Sequence, residues 1–327
     1  MKAIAVVIPT RNPNRERLGE VLAALGAQTL AKDAWETCVV DNDSTPALTA
    51  ADIVGGPAVL IARENRAGLL WARLCGLQHT TARHIVFIDD DTVPAPDFLS
   101  TAAAFMDAHP EVATAGGRIV PRYLAAIPPW IGTVAWLLAL RDNGAEPLEW
   151  SIRSGTPLPH WTPIGAGLLV RRAALVPDYL RHVEAHAALI TRISWQGQGA
   201  GGVEDKDLVL HSLRAGWATA YVPGMELTHI IPPGRLQLSY FEKLLPVVQR
   251  LWTQTLHAHG FDAHPPIHPL TLGLRKAKAW ISFRAWQSPS HRLRWLSSCG
   301  QLDGLADCHR HSTRYSPITG TAGSHPT

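Results

Sequence analysis

Ile4-Ala5-Val6-Val7-Ile8-Pro9-Thr10-Arg11-Asn12 is a short apolar run that stops abruptly at a polar turn. An uninterrupted run of this kind predicts a strand covered on both faces, as in a parallel sheet; a half-exposed strand would alternate. Moving outward, Leu18, Val21, Leu22 and Leu25 share one helical face. Residues 36–42, 58–63 and 84–88 repeat the strand signature, and residues 67–79 read as a helix opened by Asn65-Arg66. The alternation predicts an α/β fold: a doubly wound, mostly parallel sheet with helices on both faces. Further on, residues 112–120 and 165–170 read as strands, and residues 205–215 as a helix closed by Gly216. Residues 219–222 and 226–231 read as two strands around a Pro-Gly turn. The spacing is helical from Ser239 onward, and the segment 309–327, rich in Ser, Thr, Gly and Pro, is expected to be a disordered tail.

Composition narrows the function. With 327 residues, 46% apolar and 17% charged, the chain can bury a large core and is not broadly disordered. A net charge of +3 gives no general basis for nucleic-acid binding, and no such partner is expected. Cys38, Cys75, Cys299 and Cys308 form no disulfide framework, which suits a reducing, cytoplasmic setting. The N-terminal apolar run is too short for a secretory signal, and no stretch of about 20 apolar residues predicts a spanning helix. Residues 274–296 interleave Trp, Leu, Ile and Phe with Lys and Arg. Such a segment either lies in a membrane interface, giving peripheral contact with the inner face, or packs on the rest of the chain.

In an open parallel sheet, ligands bind beyond the carboxyl ends of the strands. The first strand ends in Pro9-Thr10-Arg11-Asn12, the second in Asp41-Asn42-Asp43-Ser44, and the fourth in Asp89-Asp90-Asp91. Each alone reads as a turn; together they predict one site. Three adjacent carboxylates raise one another's pKa unless a cation is present. Mg2+ or Mn2+, which commonly bridges a carboxylate to a diphosphate, is the expected metal.

These three segments resemble the successive motifs of the family 2 glycosyltransferases, and the similarity extends over about residues 3–235. The resemblance implies a GT-A fold and inverting transfer of a sugar from a nucleotide-diphosphate donor, with a UDP-sugar favoured. It places Pro9, Thr10, Arg11, Asn12, Asp41, Asp43, Asp89 and Asp90 around the nucleotide sugar, and Asp91 and Asp89 at the metal. Ala72-Arg73-Leu74-Cys75-Gly76 is similar to the family's Ala-Arg-Asn-x-Gly segment; Leu74 replaces Asn, while Arg73 stays near the diphosphate. Pro163-Ile164-Gly165-Ala166-Gly167 resembles the small-residue strand where the acceptor approaches, which implicates Gly165 and Gly167.

Glu204-Asp205-Lys206-Asp207-Leu208 resembles the pattern that supplies the general base. Acidic residues also favour a first helical turn for purely structural reasons. Carried over, Asp205 takes the proton of the acceptor hydroxyl, and Glu204 orients the site or stands in for it. His229 is implied as a third metal ligand, and Arg235 as a phosphate contact. The expected organisation is a catalytic domain over residues 1–235, divided at 120/121 into a nucleotide-sugar-binding half and an acceptor and base half. A helical extension over 236–308 follows. The acceptor is a glycan, a lipid-linked glycan or a small molecule. The rival readings are a non-catalytic nucleotide-sugar-binding scaffold and a nucleotidyltransferase; the absence of Gly from residues 9–15 argues against the latter.

Overall fold

The computed structural model describes residues 1–53, 55–194, 202–311 and 314–315. Its strands are β1 (Ile4–Thr10), β2 (Trp35–Asp41), β3 (Val59–Arg63), β4 (His84–Phe87), β5 (Thr92–Pro94), β6 (Val112–Tyr123), β7 (Leu148–Trp150), β8 (Leu168–Arg171) and β9 (Ala218–Ile231). They form one sheet in the order β3-β2-β1-β4-β8-β6-β9-β5, with β7 also paired to β9. β1 to β4 run parallel, as the alternating pattern predicts. The later strands make the sheet mixed: β8 is antiparallel to β4 and β6, β6 and β9 are parallel, and β5 and β7 run antiparallel to β9. The chain moves from β1 outward to β3 and returns to place β4 on the other side of β1. That reversal is a topological switch point, where the ends of neighbouring strands separate.

The uninterrupted apolar run of β1 is explained by what lies on each side. Ile4, Val6 and Ile8 face α1 (Arg15–Gly26) and later α3 (Phe98–Ala108). Ala5 and Val7 face the opposite core, which contains α2 (Leu69–Gln78). Gly76 of α2 lies so close to β1 that an added Cβ would stand 2.2 Å from a Val7 methyl. After β8 come α4 (Arg172–Leu175), α5 (Asp178–Ala185), α6 (Ala187–Ile193) and α7 (Glu204–Arg214). Leu208, Val209, Leu210 and Leu213 of α7 join the same core as Ala5 and Val7.

Two expectations are revised. Pro223-Gly224 does not end a strand: β9 continues through it as a bulge, where pairing jumps from Gly117 with Val222 to Ile119 with Leu227. Gly117 permits this because a Cβ there would collide with the Met225 carbonyl at 1.6 Å. The C-terminal helices α8 (Leu238–His259), α9 (Leu272–Ser282) and α10 (Pro289–His311) follow, and α10 carries regular structure through His311, into the segment read as a tail. Tyr315 is buried as well; residues 312–313 and 316–327 lie outside the described residues. The extension packs on the catalytic core through Phe241, Leu245 and Leu293, which meet Ile131, Val134 and Leu138.

Candidate active site

The first two strand ends are joined by their own polar atoms. Asn12 and Asp43 adopt left-handed backbone conformations (φ 48° and 59°), which Asn and Asp tolerate better than most residues. Asn12 N donates to Ser44 Oγ (2.8 Å), and Thr45 N donates to Asn12 Oδ1 (2.8 Å). Asp41 is buried, and its two carboxylate oxygens accept from Ser44 N and Leu48 N, both at 3.0 Å. Asn12 and Asp41 therefore shape the loop that a nucleotide would face. Arg11 lies 3.6 Å from Asp43, on the exposed side. Pairing of β1 with β4 ends at Val7 with Phe87, so Pro9, which lacks an N–H, sits where the two strands part. Asn42, whose role was not foreseen, donates to the carbonyls of Glu64 (3.0 Å) and Arg66 (2.7 Å) and accepts from Gly68 N (2.9 Å), tying β2 to the start of α2.

The acidic triplet begins one residue after β4. Each carboxylate meets a different environment. Burial pushes the Asp90 carboxyl up to about 6; the Thr10 hydroxyl, which hydrogen-bonds it, offsets this in part, while Asp91 and Asp89 add to it. Burial also raises the Asp89 pKa against the nearby charge of Arg73, and Asp91 reinforces the rise. Burial acts on Asp91 in the same sense but is outweighed by His229 and by the charges of Arg235 and Arg17, so this carboxyl titrates below its ordinary range. Asp91 Oδ1 is 3.6 Å from His229 Nε2, and Asp91 Oδ2 is 3.5 Å from Arg235 and 4.0 Å from Arg17. Arg17 carries no signal of its own in the sequence, being one of two arginines in the first turn of α1.

His229 offers a test of fit for a metal. Its Nδ1 is 2.7 Å from the Leu138 carbonyl and must donate to it, which leaves Nε2 facing Asp91 (3.6 Å) and Arg235 (3.4 Å). An imidazole nitrogen fixed in this way, opposite a carboxylate, is a common arrangement of metal donors. Asp91 and His229 lie close enough to share a cation, whereas Asp89 does not join them at ligand distance among the described residues. A carboxylate–imidazole pair suits Mn2+, which accepts imidazole more readily than Mg2+ does.

The second half of the site is carried by α7. Gly165 N donates to Asp205 Oδ2 (2.6 Å), and Lys206 N to Asp205 Oδ1 (2.9 Å), so the carboxylate is held while the residue stays partly open. Glu204 is buried and paired with Arg73 (3.0 Å). Arg73 stacks over Phe87, with its guanidinium carbon 5.6 Å from the ring centroid. It passes so close to Gly165 that a Cβ there would stand 2.1 Å from the guanidinium. Arg73 thus links Asp89, Glu204 and the small-residue strand. Gly167 has φ 74° and donates to the Phe87 carbonyl (2.8 Å). Lys206, half-buried beside this layer, donates to Thr162 O (2.9 Å) and Pro163 O (3.0 Å), and desolvation of its ammonium brings its pKa down to about 7. The Gly-rich stretch 197–202 before α7 lies almost wholly outside the described residues.

Behind Asp205, Asp207 forms a buried hub. His259 Nε2 is 2.8 Å away, His182 Nε2 3.3 Å, and the hydroxyls of Tyr179 and Tyr315 donate at 3.2 and 3.3 Å. Burial alone would raise the Asp207 pKa, but these hydrogen bonds overwhelm it and drive it far below the usual range. The His182, Asp207 and His259 ligand atoms also stand within 4.8 Å of one another, near enough to share a cation. The tyrosyl hydroxyls instead complete a hydrogen-bond shell around the carboxylate. The hub fastens α5, α7, the end of α8 and Tyr315 together.

Strand ends that converge at a switch point, an acidic triplet beside a fixed imidazole, and a partly open carboxylate on a helix N-terminus lie on one α/β scaffold. Residues 5–143 match the glycosyl transferase family 2, and residues 84–282 match the glycosyl transferase family group 2. The second match spans more than half of the chain, and the chain belongs to this glycosyltransferase family. It is similar to an N-acetylglucosaminyltransferase of Azorhizobium caulinodans, at 26% identity over 238 residues, 71% of this chain and 55% of that protein. It is also similar to a glucosyl-dolichyl phosphate glucuronosyltransferase of Haloferax volcanii, at 26% identity over 145 residues, 43% of this chain and 46% of that protein. The chain spans about half the length of these curated relatives. Among solved structures it resembles S. aureus TarS 1-349, with 15% identity and a TM-score of 0.48 over 97% of this chain and 93% of that one. The same protein in complex with UDP-GlcNAc aligns with 14% identity and a TM-score of 0.48, over the same shares of the two chains.

Proposed function

We propose that this protein transfers a sugar from a nucleotide-diphosphate sugar, with a UDP-sugar favoured, to an acceptor hydroxyl in glycan biosynthesis, with inversion at the anomeric carbon. The observation that carries the reading is Asp205: a carboxylate fixed by two backbone N–H groups, partly open, and held by Gly165, which lies against Arg73, whose charge acts on Asp89. Family membership and the two curated transferases named above support it.

In this reading the Thr10–Asn12 and Asp41–Asp43 loops receive the nucleoside, and Asp89 receives its ribose. Asp91 and His229 hold Mn2+ or Mg2+. When bound, the cation neutralises charge on the departing diphosphate. Arg235 and Arg17 add positive charge on the same side. Asp205 accepts the acceptor's proton as the new carbon–oxygen bond forms and the bond to the diphosphate breaks, a contribution of about 10²–10⁴ in rate. Asp89, Asp91, Glu204 and Asp205 are all retained, which favours an enzyme over a scaffold. The test is a donor panel assayed for sugar transfer and donor hydrolysis with Mn2+. Turnover that survives intact in both Asp91→Ala and Asp205→Asn removes the assignment.

A further inference from the structure

The C-terminal extension carries a surface that the transfer reaction does not use. On α9 and its flanks, Leu270, Leu274, Ile281 and Trp286 are 86%, 79%, 65% and 57% exposed, and no residue of the helix is buried. Leu270, Leu274, Ala277 and Ile281 follow i, i+4, i+7 and i+11 spacing, so they form one outward stripe. The inward side is already occupied: Trp280 meets Trp295 edge-on at 4.7 Å, Trp295 Nε1 donates to Lys276 O (3.2 Å), and Lys276 pairs with Asp303 (2.6 Å).

The cations divide in the same way. Lys276 and Arg292 have acidic partners, Asp303 and Glu242. Arg275, Lys278, Arg284 and Arg294 are exposed and have none among the described residues. The chain has no Asp or Glu between Asp262 and Asp303. Beside the stripe lies a groove of about 280 Å³ whose lining mixes Trp136, Phe283 and Leu293 with Arg294, Ser297 and Gln301. No helix among the described residues is long and apolar enough to cross a membrane.

We propose that this face docks on an anionic lipid bilayer, with Leu270, Leu274, Ile281 and Trp286 entering the interface and the four unpartnered cations meeting lipid phosphates. An acidic protein would meet the cations but leave the aliphatic stripe in water; an apolar protein partner would bury the cations without countercharge. A bilayer interface satisfies both sets, which is why amphipathic helices of this composition lie in it. Trp at the boundary fits the same place.

The experiment is flotation of the full chain with vesicles of 30% phosphatidylglycerol and 70% phosphatidylethanolamine, against pure phosphatidylcholine, at low and high salt. Leu274→Glu/Ile281→Glu and Arg275→Gln/Lys278→Gln are compared with the unaltered chain. All the altered residues are exposed, and circular dichroism and Tm confirm that each variant is folded. The expected result is partition onto the anionic vesicles that falls at least tenfold in each double variant and weakens with salt. Absence of partition at low salt overturns the proposal. So does unchanged partition of Leu274→Glu/Ile281→Glu, which would mark a purely electrostatic surface for an acidic macromolecule. Transfer to a soluble acceptor is measured in parallel and is expected to be unchanged.

Discussion

Two acidic clusters of nearly the same composition, Asp89-Asp90-Asp91 and Glu204-Asp205-Lys206-Asp207, are treated in opposite ways by the fold. In the first, burial and mutual repulsion raise two of the three carboxyls, and the cations that face them stand 3.5 to 4.0 Å from Asp91. In the second, Glu204 is closed by Arg73, Asp207 by four donors, and Asp205 by two backbone N–H groups. A cluster left short of positive charge is suited to a cationic ligand; in the second cluster the buried Glu204 and Asp207, whose lone pairs are taken, are suited to hold the helix in place, and Asp205 alone stays partly open. The comparison teaches that acidic density alone does not locate chemistry. What the fold leaves unsatisfied does.

The contrast has measurable consequences, the largest at the first cluster. Asp91→Ala is expected to lower kcat/KM for transfer by about 10³-fold or more, read by initial rates, with a smaller loss of stability than Asp207→Ala, read by calorimetry and chemical denaturation. At the second cluster the signs reverse. Asp207→Ala is expected to cost about 3–5 kcal/mol of stability by chemical denaturation, because buried partners lose their ion, with activity per folded molecule changed much less. Equal stability losses in the two variants would break the comparison.

Smaller effects refine it. Gly165→Ala forces Arg73 aside and is expected to lower kcat by about 10–100-fold, the scale of a misplaced reacting group. The least is a pH effect. Burial depresses the His211 pKa to about 3, so below about 6.5 the unfolded chain takes up a proton that the folded chain refuses. Stability therefore falls as pH drops from about 6.5 toward 3, by about 1.4 kcal/mol per pH unit from this group. Asp207 adds a later loss: the stability from its depressed pKa is complete above its unfolded value of about 4 and is lost progressively as pH falls from there toward its folded pKa. Denaturation curves of His211→Gln between pH 7 and 4 should be flatter than those of the unaltered chain; parallel curves would remove His211 from the acid response.

What was legible in the sequence was local. The apolar run at Ile4–Ile8, the polar strand ends and the acidic first turn of α7 are each written in a few consecutive residues, and the parallel half of the sheet followed from them. The hub was not legible, because His182, His259 and Tyr315 reach Asp207 from 25, 52 and 108 positions away with no spacing to announce them. Pro223-Gly224 read as a turn because the permissive feature, Gly117, sits on another strand. Tyr315 was hidden for a related reason: a polar, Gly- and Pro-rich composition says nothing about one aromatic ring that finds a buried partner.

The passage of Arg73 beside Gly165 makes these two positions a single heritable unit. A side chain at 165 displaces the guanidinium, and a shorter residue at 73 removes the ion pair with Glu204, so a change at either is felt at the other. Among descendants of this chain the two sites should change together or not at all, although 92 positions separate them. Such a pair records a spatial constraint in sequence history, and a lineage that broke it would first have to rebuild how α7 meets the sheet.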